Sequence, residues 1–131
     1  MSLVVDTSAW LCILLDEADA PRYAEALALA DAILLSSVNY VELSIVISAR
    51  YGATGSERAD RLLHSLGVEM ASFDRSQAAL ALAAWQRYGK GNHPARLNFG
   101  DCCTYALAKL RDAPLLYKGE DFARTDIRSA L

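Results

Sequence analysis

The stretch that decides the fold is LVVDTSAWLCILLDEA, residues 3–18. Residues 3–5 are a short apolar run rich in β-branched side chains, which is typical of a strand buried on both faces. Asp6 follows directly, and the segment AWLCILLDEA after it has helical spacing. The sequence therefore predicts that a strand passes into a helix at Asp6, as in the first unit of an α/β fold.

The rest of the chain repeats this alternation. Further strands are predicted at AILLSS (32–37), VEMASF (68–73) and PLLYK (114–118). Helices are predicted at PRYAEALALADA, VNYVELSIVISARYG, GSERADRLLHSLG, DRSQAALALAAWQRYGKG and DCCTYALAKLRD, with Asn39 as a cap and Gly52 as a stop. The expected structure is one α/β domain over residues 1–131, with a parallel sheet of about four or five strands sandwiched between helices.

The composition excludes several classes of protein. The chain has 131 residues, 53% of them hydrophobic, which is enough for one core without a disulfide or structural metal. Its three cysteines form no CxxC pair and its two histidines are isolated, which argues against a zinc module. The net charge of -3 means that nucleic-acid binding would need a local basic patch. Because no signal peptide or membrane span is recognisable, a cytoplasmic domain is expected.

Carboxylates recur where the predicted strands pass into the following segments. Asp6 ends the first strand, Glu42 lies in the first turn of the helix after the second, and Asp101 begins the helix DCCTYALAK. Asp121, with Glu120 beside it, follows the last strand. Ligands of open α/β sheets bind at the carboxyl ends of the strands, so we expect these acids to meet at one edge.

Each acid also has a purely structural interpretation. Asp6 is placed to cap the helix that follows it, and the pairs Asn39–Glu42 and Asn98–Asp101 both have the spacing of a capping box. Several converging carboxylates, however, repel one another unless a cation compensates them. Hard oxygen ligands suit Mg²⁺ or Mn²⁺, and such ions assist phosphodiester hydrolysis. The grouping therefore predicts a metal-dependent phosphodiesterase site.

Four blocks of the sequence resemble a known family. VVDTSAW, NYVELSIVI, HPARLNFGDCCTYALAK and LLYKGEDFARTDI are similar, in this order and over nearly the whole chain, to the PIN-domain ribonucleases. More narrowly they resemble the VapC toxins of bacterial type II toxin–antitoxin modules. The resemblance implies a Mg²⁺- or Mn²⁺-dependent endoribonuclease that hydrolyses RNA phosphodiester bonds.

The resemblance also implies roles for individual residues. Asp6, Asp101 and Asp121 correspond to the metal-binding acids, and Glu42 to an acid that binds the metal directly or through water. Glu120 is the alternative to Asp121 if the loop is shifted by one residue. Thr7 or Ser8 is expected to hydrogen-bond a metal ligand, whereas Asp126 is expected to be structural.

RNA and protein partners are implied as well. Lys90, Arg96 and Lys118 are the candidate phosphate-binding residues. Helices with surface-capable Trp10 and Leu14 offer a groove for a VapB-like antitoxin, although most of their apolar residues are expected in the core. A homodimer or a toxin–antitoxin hetero-oligomer is implied by the resemblance alone.

Two other functions remain open at this point. One is a phosphoacceptor (receiver-like) signalling domain, which also combines strand-end acids, Mg²⁺ and a late lysine. In such domains the phosphoacceptor lies deeper in the chain than Asp6 does. The other is a catalytically inactive PIN-like binding module, against which the retained acids argue.

Overall fold

A four-stranded parallel sheet forms the centre of the protein, whose computed structural model describes residues 1–131. The strands are β1 (Ser2–Val5), β2 (Ala32–Ser36), β3 (Glu69–Ala71) and β4 (Leu115–Leu116). The helices are α1 (Thr7–Leu14), α2 (Ala20–Leu29), α3 (Ser37–Ser65), α4 (Arg75–Tyr88) and α5 (Phe99–Arg111), and a short 3₁₀ helix spans Phe122–Arg124. The predicted α/β class and parallel sheet are confirmed.

Helices cover both faces of the sheet. Alternate side chains of β1 point to opposite faces, so Leu3 and Val5 pack with α1, α2 and α3, whereas Val4 packs with α4 and α5. Each face carries a cluster of 16 buried apolar residues, and Leu3, Val4 and Val5 of β1 are at most 1% exposed. This double burial explains why the strands read as continuous apolar runs.

The order of the strands is β3-β2-β1-β4. The chain leaves β1 for β2 on one side and returns to pair β4 with the other side of β1. The carboxyl ends of β1 and β4 therefore lie at the point where the winding of the sheet reverses. Crevices at such points are the usual ligand sites of open α/β sheets.

The structure confirms one predicted helix boundary and moves another. Gly52, which was predicted to stop a helix, interrupts the helical geometry with φ 66° and ψ -157°, and α3 continues beyond this kink to Ser65. Gly55 therefore lies inside the helix rather than before it. There its missing side chain allows close packing, since a Cβ would lie 3.0 Å from Ile47 Cγ2 and 2.5 Å from Tyr51 Cβ.

The groove predicted from Trp10 and Leu14 needs a different description. Trp10 is fully buried and Leu14 is 6% exposed, so both belong chiefly to the core, as was expected for most of these residues. An open groove does exist beside Leu14, but α3 supplies most of its lining: Ile47, Tyr51, Thr54, Gly55 and Arg58. None of the helices combines the length and the hydropathy that crossing a bilayer requires.

Candidate metal centre and active site

Asp6 lies at the carboxyl end of β1 and is 4% exposed. Its Oδ2 accepts hydrogen bonds from the Ser8 hydroxyl at 2.6 Å and the Ser8 N–H at 3.0 Å, which makes it the N-cap of α1. Its Oδ1 accepts a hydrogen bond from the Thr104 hydroxyl at 2.8 Å. Burial raises the pKa of Asp6, whereas these hydrogen bonds lower it. Asp6 is thus both a cap and a buried acid held in one orientation.

Asp101 enters the same site from the first turn of α5. It forms a capping box with Asn98, in which Asn98 Oδ1 accepts from the Asp101 N–H at 2.9 Å and Asp101 Oδ2 accepts from the Asn98 N–H at 3.1 Å. The predicted capping box is therefore confirmed, and it leaves the other carboxylate oxygen of Asp101 free. Only 8% of the residue is exposed.

The pKa of Asp101 indicates which groups surround it. Burial, together with the charges of Asp6 and Asp121, raises this pKa to about 7, whereas the hydrogen bond from the Asn98 N–H lowers it. Asp121 also lies within hydrogen-bonding reach of the Asp101 carboxyl. Asp6 and Asp121 therefore both act on the carboxyl of Asp101.

Glu42 reaches the site from α3, although not in the way that its spacing predicted. The prediction of a capping box formed by Asn39 and Glu42 is wrong, because α3 begins directly after β2 with Ser36 as its N-cap. Glu42 therefore lies in the second turn of the helix, not in the first. Asn39 is instead buried, and its Nδ2 donates to Glu42 Oε1 at 3.2 Å and to the Gly100 carbonyl at 3.0 Å. Asn39 therefore ties α3 to the start of α5.

Two further contacts fix the Glu42 carboxylate beside α5. The Thr7 hydroxyl donates to Glu42 Oε1 at 2.6 Å, as was expected of Thr7 or Ser8. A Cβ at position 100 would lie 2.1 Å from Glu42 Oε2, so only glycine leaves room for this carboxylate. Gly100 directly precedes Asp101, and this close approach therefore brings Glu42 to the same end of α5.

Sequence reasoning did not identify Asn39, Gly100 or Thr104 as site residues. Thr104 follows Asp101 by three positions, which places both on one face of α5, and this spacing was the available signal. The approach of Glu42 to Gly100 joins helices 58 positions apart, because Glu42 lies on α3 and Gly100 on α5. No local pattern could have indicated it.

The four acids have no cationic partner within the chain. None of the salt bridges involves Asp6, Glu42, Asp101 or Asp121. Carboxylates that lie near one another without a counter-charge repel one another, and a bound cation relieves this repulsion. Their oxygen atoms suit a hard divalent cation. The donor set therefore fits a Mg²⁺- or Mn²⁺-type ion better than zinc.

A second group of metal-type ligands lies outside this site. Cys12, Glu17 and Asp19 place one ligand atom each within 4.8 Å of one another. The ammonium of Lys118 already forms ion pairs with both acids, and the thiol of Cys12 donates to Asp19 Oδ1 at 3.2 Å. The ammonium offsets one of the two negative charges of this cluster, so the acids of the first site, which have no cationic partner, are the better candidate for a metal centre.

The remaining predicted residues lie around these two clusters. Lys90 and Arg96 are exposed in the loop before α5 and form no salt bridge, whereas Lys118 is half-buried in its ion pairs. Asp126 binds Lys109 Nζ at 2.7 Å and the Tyr105 hydroxyl at 2.7 Å, which agrees with its expected structural role.

Comparison with known proteins gives concordant results. The family model described as the PIN domain matches residues 3–128. Ribonuclease VapC30 of Mycobacterium tuberculosis is 48% identical over 126 residues, which are 95% of each chain.

Solved structures with the same fold are more distant in sequence. VapC20 of Mycobacterium tuberculosis, described as a sarcin-ricin loop cleaving toxin, has a TM-score of 0.78 at 18% identity, with 95% of each chain covered. A toxin–antitoxin complex from Klebsiella pneumoniae contains a chain with a TM-score of 0.72 at 19% identity, covering 95% of this chain and 92% of that one.

Proposed function

Because the chain belongs to the PIN-domain family and to its VapC ribonucleases, we propose that its site is a Mg²⁺- or Mn²⁺-dependent endoribonuclease centre formed by Asp6, Glu42, Asp101 and Asp121. The protein is the toxin component of a type II toxin–antitoxin module. The observation that carries the metal proposal is the convergence of four acids without a cationic partner at the carboxyl ends of β1 and β4. Family membership favours this function over a phosphoacceptor domain.

The acids differ in what they contribute. Asp6 and Asp101 are buried and held by hydrogen bonds, so they form the rigid part of the metal site, and exposed Asp121 completes it from the last loop. Glu42 binds the metal directly or orients a water bound to it. When bound, the ion polarises the scissile phosphate and lowers the pKa of a water molecule.

The chain itself supplies positioning. Thr104 and Ser8 hold the two oxygens of Asp6 in separate hydrogen bonds, and Thr7 and Asn39 hold one oxygen of Glu42. Such contacts fix the ligand geometry before the substrate arrives, which is the main way in which a protein scaffold supports metal chemistry. No nucleophilic serine or cysteine is required, and burial raises the pKa of Cys102 to about 11, which keeps it protonated.

RNA would be held by cations outside the acidic centre. Lys90 and Arg96 are exposed and have no acidic partner, so their charges are available to phosphates. Contacts of this type give salt-dependent binding with little sequence preference. We expect the loop that carries them, just before α5, to direct the RNA backbone towards Asp101.

Two surfaces suit protein partners. The groove beside Leu14, with Tyr51 and Arg58 on its wall, has an apolar floor and a cationic rim, which fits an amphipathic segment of a VapB-like antitoxin.

Val41 and Ile45 on α3 are 52% and 63% exposed beside Phe99, and they form an apolar face that fits a homodimer. Ile45→Glu is expected to convert the dimer to monomers, as measured by light scattering. A molecular mass equal to that of the wild type would contradict this interface.

The central test is RNA cleavage by the purified chain in Mg²⁺ or Mn²⁺ and in chelator. We expect cleavage only with the metal, and none by Asp6→Asn or Asp101→Asn. Calorimetric titration with Mn²⁺ gives a second readout, because both variants should bind the ion more weakly. Glu57→Gln is the control, since Glu57 is exposed and distant in sequence from all four acids. Full cleavage in chelator, or by either variant, would exclude the metal site.

The two acids of the last loop provide a matched comparison. Asp121→Asn is expected to weaken Mn²⁺ binding and cleavage, whereas Glu120→Gln should change neither, because Asp121 is the acid of this loop whose charge raises the pKa of Asp101. A larger effect of Glu120→Gln would assign the fourth acid to Glu120. A wild-type chain that binds Mn²⁺ but cuts no RNA would indicate an inactive PIN-like binding module.

A further inference from the structure

Lys118 lies at the end of β4 and joins two distant parts of the chain. Its ammonium forms ion pairs with Glu17 and Asp19, which lie in the connection between α1 and α2, and the distance to Asp19 Oδ1 is 2.8 Å. The Lys118 side chain is 36% exposed, so it is half-buried rather than extended into solvent. We call Lys118 with Glu17 and Asp19 the Lys118 clamp.

The backbone of the same residue contacts the active site. The Lys118 N–H donates to Ser8 Oγ at 3.0 Å, and the Ser8 hydroxyl donates to Asp6 Oδ2 at 2.6 Å. A serine hydroxyl has one proton to give, so an amide that donates to its oxygen also decides the direction of that proton. The position of Lys118 thus controls the orientation of Ser8, and through it one oxygen of Asp6.

The segment after Lys118 carries another acid of the site. Gly119 has φ 105°, a conformation that favours glycine, and it begins the turn that leads to Asp121. Before the turn, the Tyr117 carbonyl accepts a hydrogen bond from the Tyr23 hydroxyl at 3.1 Å. Lys118 is therefore the last residue before the turn that is bonded to other elements. The position of Asp121 depends on the position of Lys118.

From this geometry we infer that Lys118 is a positioning residue for Asp6 and Asp121, and that Glu17 and Asp19 contribute to catalysis only by fixing it. The inference rests on the proposed nuclease function. It replaces the phosphate-binding role that the sequence analysis predicted for Lys118. An ammonium shared by two carboxylates is not available to an RNA phosphate, so Lys118 differs in role from Lys90 and Arg96.

The two roles of Lys118 predict opposite kinetics. If it positions the acids, Lys118→Met lowers kcat by about 10–100-fold, the size expected when reacting groups are misplaced by roughly 1 Å. KM and the salt dependence of RNA binding then stay as in the wild type. If Lys118 instead contacted a phosphate, KM would rise and the logarithmic salt slope would fall by about 0.7, the value for one contact to single-stranded nucleic acid.

Removing the acids of the clamp separates the two roles again. Glu17→Gln with Asp19→Asn would free the ammonium, so an RNA contact predicts tighter RNA binding and a lower KM. A positioning role predicts a fall in kcat with an unchanged KM. Combining these changes with Lys118→Met should cost little more than either alone, because both break the same clamp.

The experiment uses the full chain and a short single-stranded RNA that the wild type cleaves. Lys118→Arg should retain most of kcat, since it preserves the ion pairs. Arg111→Met is the matched control, because Arg111 is 40% exposed and forms one ion pair with Glu69. Its kcat should equal that of the wild type.

Amide hydrogen exchange supplies a readout that does not depend on turnover. Residues 117–121 should exchange faster in Lys118→Met than in the wild type, and Arg111→Met should leave them unchanged. A normal kcat in Lys118→Met, or a raised KM with a smaller salt slope, would overturn the inference. If the wild type cuts no RNA, the proposed function fails, whereas the exchange measurement still decides whether the clamp fixes this segment.

Discussion

Replacing Asp101 by asparagine should stabilise the metal-free protein at alkaline pH while abolishing cleavage. Burial and the charges of Asp6 and Asp121 raise the pKa of Asp101 from 3.8 to about 7. The folded protein therefore binds this proton more tightly than the unfolded chain does. The contribution of Asp101 to stability is fully present below pH 3.8, is lost progressively as the pH rises, and is absent above about pH 7.

The size of the effect follows from this interval. At about 1.4 kcal/mol per pH unit, ionising Asp101 in the folded state costs about 4 kcal/mol above pH 7. Asparagine avoids that cost and keeps an oxygen for the Asn98 N–H, whose preference for the ionised carboxylate is already included in the pKa of about 7. We expect a gain of about 4 kcal/mol at pH 8, or roughly 15 °C in melting temperature for a domain of this size.

Denaturant unfolding in chelator, from pH 4 to pH 8, measures this difference between the wild type and Asp101→Asn. The gain should be about 4 kcal/mol at pH 8 and should shrink towards zero at pH 4. Mn²⁺ at about 100 times its Kd should stabilise the wild type by about 2.7 kcal/mol and the variant by much less. An asparagine variant that is no more stable than the wild type at pH 8 would refute the reasoning, and Glu57→Gln should show no pH-dependent difference.

Three further predictions concern the supports of the site. Gly100→Ala should lower cleavage by about 10–100-fold, since its Cβ displaces the Glu42 carboxylate, but should have no added effect on kcat in a Glu42→Ala background. Thr104→Val leaves Asp6 Oδ1 without its donor, so denaturation at pH 8 should show a loss of about 1–3 kcal/mol that Thr104→Ser avoids. Asp126→Asn should reduce stability by about 1 kcal/mol with kcat unchanged, and a loss of cleavage would contradict its structural role.

Local sequence patterns were sufficient for the elements and for two of the acids. Strands buried on both faces read as apolar runs, and Asp6 and Asp101 stand where such a run or a loop passes into a helix. Both residues satisfy the cap pattern and the site pattern at once, because the carboxyl edge of a parallel sheet is also where helices begin. At these two positions, the observed capping hydrogen bonds are compatible with the proposed role in the metal site.

Local sequence patterns failed to predict the helix start where two caps are both consistent with the local sequence. Asn39 and Glu42 have the spacing of a capping box. The chain passes from β2 into α3 without a loop, however, and the N-cap is Ser36. Asn39 was then free to bind Glu42 and the Gly100 carbonyl. This outcome depended on tertiary packing between α3 and α5, which no window of a few residues contains.

Charge compensation separates the functional acids from the structural ones without reference to any other sequence. Glu17 and Asp19 share the ammonium of Lys118, which offsets one of their two negative charges, and Asp126 is paired with Lys109. Two of the four site acids, Asp6 and Asp101, are buried, yet no lysine or arginine forms a salt bridge with any of the four. Folding has left this repulsion unrelieved, which costs stability unless a cation from solution binds there. In the proposed function, a divalent cation would relieve this repulsion at the site where it is expected to assist the reaction.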